Sequence, residues 1–193
     1  MRPPAEPELT VTHSRSPVSG YLQHQGLATD HELYIDNLGF EKALKKCTGS
    51  ALEEAVPAEM MQLFSDAQWN QLLFEFQPSM QIFSSEYDIP QLRQRIERGE
   101  MPAIPAAGEL AHWLVFRDDK GELVRPLSPR EYRCLTEACN GREFASIAAM
   151  VWPALDTESA HRKLTEILLG WLNEGLVTDA GVPLPADAEF EQA

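Results

Sequence analysis

Residues 112–179, HWLVFRDDKGELVRPLSPREYRCLTEACNGREFASIAAMVWPALDTESAHRKLTEILLGWLNEGLVTD, decide the fold. The run from His112 to Arg117 is apolar and aromatic, Asp118-Asp119-Lys120-Gly121 has the polar, glycine-closed composition of a hairpin loop, and Glu122 to Leu127 alternates enough to pair back. A two-stranded ribbon is predicted. Ser128 stands before Pro129 with Glu131 three positions on, which are the N-cap, first-turn proline and reciprocal carboxylate of a capping box. The helix that starts there is expected to stop at Gly141, since glycine tolerates the left-handed turn after a helix. Phe144, Ile147, Ala148 and Val151 mark a second, short helix closed by Pro153. Thr157 or Asp156 caps a third, with Leu164, Ile167, Leu168, Trp171 and Leu172 as its apolar stripe and Gly175 at its end. Leu176-Val177-Thr178 reads as a closing strand. Strand, strand, three helices, strand is a winged-helix-like order.

The expected fold class is therefore α+β, mostly helical, with an N-terminal helical domain ahead of a winged-helix-like module that carries a small antiparallel ribbon. Residues 1–19, with Pro3, Pro4, Pro7 and Pro17 and little that can pack, read as a disordered arm. Residues 20–98 read as helical. One stripe is Leu33, Ile35, Leu38, Phe40, Ala43 and Leu44; a second is Leu52, Val56, Met60, Met61, Leu63 and Phe64, broken at Pro57. A third is Trp69, Leu72, Leu73 and Phe76 behind Asp66, and a fourth is Ile89, Leu92 and Ile96. Residues 99–111, which open GEMPAIPAAG, form a linker, and residues 180–193 an acidic, proline-broken tail.

Charge limits the function. The chain has a formal net charge of −14, and residues 112–179 hold eight Lys or Arg against eleven Asp or Glu. Duplex DNA requires a cationic face that releases phosphate counterions, so a winged helix of this balance is a poor DNA reader. The alternative, a transcriptional regulator reading DNA through Arg142 to Ala149, is kept as a rival. Acidity also disfavours an anionic membrane, no apolar run approaches the ~18 residues of a membrane span, and no signal peptide is evident, so a cytoplasmic location is expected. Three cysteines, Cys47, Cys134 and Cys139, show neither CxxC nor zinc spacing and read as small buried hydrophobes.

No nucleophile motif, phosphate loop or His/carboxylate cluster is recognisable: His31-Glu32-Leu33 lacks the second histidine of a zinc-protease helix, and His112 and His161 read as surface or capping residues. No catalytic residue, no metal ligand and no cofactor of the chain's own are expected. What the module offers is an edge. An extended peptide can add to the outer strand of the ribbon, with a pocket lined by Leu123, Val124 and Leu127 from the strand and Leu164, Leu168 and Trp171 from the third helix. Arg125, Arg162 and Lys163 are placed to meet acidic side chains of that peptide.

The segment VFRDDKGELVRPLSPREYRCLTEACNGREFASIAAMV, followed by LTEILLGWLNEGLVTD, resembles the PqqD-like precursor-peptide recognition elements of ribosomal-peptide biosynthesis. LYIDNLGFEKALKKC, AEMMQLFSDAQWNQLLFEF, YDIPQLRQRI and GELAHWLVF are similar to the helical domain of HvfC-like proteins, with Tyr34 and Asn37 at its Y-x-x-N; Ser65-Asp66 and His112-Trp113 depart from its usual pairs. Over residues 30–179 the combination resembles the MbnC-like companion subunits of methanobactin biosynthesis. The resemblance implies an accessory, non-catalytic subunit of a heteromeric metalloenzyme. It would hold a cysteine-containing precursor peptide for an iron-dependent TIM-barrel enzyme that forms oxazolone and thioamide groups, the iron lying in the partner. Trp69, Phe74 and Phe76 are then candidates for the partner interface.

Overall fold

Four consecutive buried residues, Trp113 to Phe116, lie at the middle of the molecule because their strand is covered on both faces. The computed structural model describes residues 17–27 and 31–183; most of the expected arm, up to residue 16, and the tail from residue 184 lie outside the described residues. The helices are α1 (Pro17–His24), α2 (Glu32–Gly49), α3 (Asp66–Trp69), α4 (Ile89–Glu97), α5 (Pro129–Cys139), α6 (Phe144–Val151) and α7 (Thr157–Asn173). The strands are β1 (Leu73–Phe76), β2 (Gln81–Ser85), β3 (Ala111–Arg117), β4 (Glu122–Leu127) and β5 (Val177–Gly181). The chain is mixed α and β, with one antiparallel sheet in the order β2-β3-β4 and an antiparallel pair β1-β5.

Side chains alternate between the faces of a strand, so β3 sends Leu114 and Phe116 into a core with Leu127, Leu135, Phe144, Leu164 and Trp171. It sends Trp113 and Val115 into another, with Leu22, Leu33, Phe40, Phe83 and Leu92. This double coverage is why WLVF is a continuous apolar run and not an alternating one.

The ribbon forms as expected, with Leu114 opposite Arg125 and Phe116 opposite Leu123, but it is part of a three-stranded sheet. Ser128 Oγ accepts from the Glu131 amide at 3.1 Å, and Asp156 accepts from the Ser159 amide at 2.9 Å, a bond that holds the Asp156 carboxyl below its ordinary pKa. Gly141 and Gly175 end α5 and α7 at φ of 71° and 69°.

Several expectations are corrected. Residues 73–85, read as helix, carry β1 and β2. The apolar residues of LLFEF suit a helix stripe or a strand, and the pairing of Phe74 with Ala180 in β5 selects the strand. The proposed linker is crossed by strand pairing, since Phe83 of β2 faces Trp113 of β3. Residues 51–57 have no helix. The buried Gln77 side chain holds them like a strand neighbour, accepting from the Glu53 amide at 3.0 Å and donating to its carbonyl at 2.7 Å. Pro17 to Ser19, assigned to the arm, open α1 with Val18 and Ser19 buried, and Ala180 and Gly181, assigned to the tail, belong to β5. In α2 the buried stripe is Leu33, Asn37, Phe40, Leu44 and Cys47, while Ile35 and Leu38, read as core, are exposed.

Cys47 and Cys134 are buried and Cys139 is exposed. Burial, reinforced by the Glu131 charge, pushes the Cys134 thiol up to about 12, and burial and the Glu122 charge raise Cys47. A disulfide-exchange reagent should titrate one thiol per native chain and all three in denaturant. Fast reaction of two or more without denaturant would contradict this packing.

Candidate functional site

Only β4 in the three-stranded sheet leaves large apolar side chains in solvent: Leu123 is 41% exposed and Val124 37%. Among the described residues its one strand neighbour is β3, so backbone N–H and C=O groups point outward unpaired, save at Pro126, which has no N–H and whose carbonyl accepts from Arg125 Nη1 at 3.3 Å. The other sheet edge, β2, has no exposed residue. The β3–β4 turn is fixed by Asp118, whose Oδ1 accepts from the Lys120 and Gly121 amides at 2.8 and 3.0 Å.

Depressions flank the edge on both faces of the sheet. A cavity of about 550 Å³ lies between Leu123 and Arg125 of β4, the turn residues Asp118 and Asp119, and Asn173 to Gly175 at the end of α7. On the other face a groove of about 770 Å³ runs between Val124 and Pro126 and the polar side of α4, with Phe40, Leu44 and Trp113 at its floor.

Of the residues read as a peptide pocket, Leu123 and Val124 line this edge. Leu127, though buried, meets the end of the groove; Leu164, Leu168 and Trp171 do not line the edge but are core residues beneath the sheet. Arg125 lines the cavity but its guanidinium is occupied, donating to Glu131 at 2.7 Å and Glu174 at 2.8 Å. Burial works against its charge, yet the two carboxylates outweigh burial and hold its pKa above the ordinary value. Glu131 also accepts from Trp171 Nε1 at 3.3 Å, so its carboxylate ties β4 to α7 and does not reach back to the cap as a capping box would have it. Arg162 pairs with Glu158 and Lys163 with Glu166, both at 3.0 Å on the surface of α7. Arg162 lies eleven residues before Asn173, about 16 Å along the helix from the cavity at ~1.5 Å per residue.

The interface candidates are also engaged internally. Phe74 is buried, Trp69 packs edge-on to Phe144 at 5.3 Å, and Phe76 packs edge-on to Trp171 at 5.6 Å. Tyr34 and Asn37 fasten α1 to α2: Tyr34 Oη accepts from Gln23 at 3.0 Å and Asn37 Nδ2 donates to Ser19 Oγ at 3.0 Å. The large apolar residues that do meet solvent on α2, Ile35 and Leu38, were hidden by their place within an apolar stripe.

One contact looks like a nucleophile and base, Ser84 Oγ and His112 Nδ1 at 2.7 Å. They are directly opposed on β2 and β3, and the imidazole lies flat against Tyr132 at 3.6 Å. No carboxylate orients the other ring nitrogen among the described residues, so the contact reads as a cross-strand pair. Burial lowers the His112 pKa below 6.5. The unfolded chain then takes up the proton first, so the contribution of His112 to stability is intact above pH 6.5 and is lost as pH falls toward the lower folded value. The urea midpoint should therefore fall from pH 7.5 to 5.5 by more in the native chain than in His112→Gln; equal falls would show that the imidazole protonates freely.

Among the described residues no group of three or more His, Cys, Asp or Glu is arranged to hold a metal ion, and no helix is long and apolar enough to cross a membrane. No family model, no curated protein and no solved structure matches the chain.

Proposed function

We propose that the chain is a peptide-presenting companion subunit: it takes a segment of a precursor peptide as an additional strand on β4 and brings that peptide's cysteines to an iron-dependent TIM-barrel enzyme. The observation that carries the reading is the free edge of β4 with Leu123 and Val124 uncovered beside it. Strand addition draws affinity from backbone hydrogen bonds and specificity from the depressions on either face. The winged-helix-like succession of β3, β4, α5, α6, α7 and β5 agrees with a PqqD-like recognition module, although β5 pairs with β1 and not with the ribbon. The resemblance to MbnC-like subunits supplies the partner and the chemistry, oxidation of cysteines to oxazolone and thioamide groups, with the iron held by the partner. The purpose is proximity, since tethering raises the effective concentration of the reacting segment at the enzyme.

The test starts from the full chain, tagged, recovered from the cells that make it, with a photo-crosslinking residue at Val124. The expected result is co-recovery of a second subunit with stoichiometric iron, and a crosslink from residue 124 to a cysteine-containing peptide. A chain recovered alone, with no crosslink to any peptide, would refute the proposal. Retention on duplex DNA that falls steeply with salt would move the assignment to the transcriptional regulator.

A further inference from the structure

We infer that the strand received by β4 is a cationic one, with Lys or Arg alternating with apolar residues; the inference rests on the reading of β4 as a peptide edge and concerns the chemistry of its occupant. The cations that a reading of the sequence offers to an acidic peptide are already spent, Arg125 on Glu131 and Glu174, Arg162 on Glu158, and Lys163 on Glu166. What remains along the edge is negative on both faces. The cavity beside Leu123 is lined by the carboxylates of Asp118 and Asp119, unpaired among the described residues, with Glu174 paired to Arg125. The groove beside Val124 is lined by the carboxylates of Asp88 and Glu122, with Glu97 paired to Arg93 at 2.7 Å. Lys120 at the hairpin tip offsets part of this charge.

An added strand presents alternate side chains to the two faces, so with cations alternating it lays its apolar side chains on one face, against Leu123 or Val124, and its cations on the other, toward Glu122 or toward Asp118 and Asp119, according to register. An acidic strand at the same place would meet like charge on both sides.

The probes are two labelled twelve-residue peptides with the same alternating valines and leucines, one with lysine and the other with glutamate at the intervening positions, titrated by fluorescence anisotropy against the full chain. The lysine peptide should bind about tenfold tighter at low salt, and the difference should shrink in 0.5 M NaCl because these charges are exposed to screening. Asp118→Asn with Asp119→Asn retains the Oδ1 acceptor of the turn and should weaken the lysine peptide about fivefold. Leu123→Ser with Val124→Ser should weaken both peptides. Equal affinities, or tighter binding of the glutamate peptide, with sensitivity to the Leu123 and Val124 changes would overturn the cationic preference and leave the peptide edge standing. If neither peptide binds, the edge is not a peptide site, and the proposed function falls with the inference.

Discussion

Trp171→Ala should lower the unfolding free energy by about 3–5 kcal/mol, the range for truncating a large buried aromatic. The indole is 1% exposed, packs edge-on to Phe76 at an interplanar angle of 76°, and spends its N–H on Glu131. The substitution therefore opens a cavity in the core beneath the sheet and leaves one carboxylate short of a donor. Domains of this size are stable by only ~5–15 kcal/mol, so much of the margin is at stake. Trp171→Phe retains most of the ring and loses the hydrogen bond, at a cost of about 1 kcal/mol plus a small packing defect. Urea unfolding followed by circular dichroism separates the two. A change below ~1 kcal/mol for Trp171→Ala would mean that the ring is not in the core.

Arg125→Glu should cost about 3 kcal/mol or more, because removing one partner of a partly buried ion pair leaves uncompensated charge. Here a third carboxylate would join Glu131 and Glu174, which now sit 2.7 and 2.8 Å from the guanidinium. Their mutual repulsion should raise the pKa of the group, so the deficit relative to the native chain should narrow as pH falls through the carboxylate range and the three share protons. Unfolding midpoints at pH 7 and pH 4.5 check the sign. A constant deficit would show that the three groups do not interact. Lost peptide binding in Arg125→Glu would thus be confounded with lost stability, whereas the exposed Leu123 and Val124 report on the edge without touching a core.

Most of the C-terminal half was legible because its signals are local: Ser128-Pro129 with Glu131, Gly141, Pro153, Asp156 and Gly175 each act within a few residues. The N-terminal half was misread where the deciding contacts are distant. LLFEF becomes a strand because β5 lies beside it about a hundred residues later, and residues 51–57 are extended because Gln77 holds them. The candidate site was half legible. Alternation in β4 separates Leu123 from Val124, but nothing local reveals that Glu131 and Glu174 converge on Arg125, or that Trp171 faces inward.

The β1–β5 pairing also governs the birth of the molecule. Phe74 cannot find Ala180 until roughly a hundred further residues have been translated, some five to twenty seconds at ~5–20 residues per second. Throughout that interval Leu72 and Phe74, which end up buried, lack their final cover on the nascent chain. A ribosome paused before Val177 would display an adhesive half-built edge, so prompt completion, or a holding chaperone, protects this protein from aggregating before it exists.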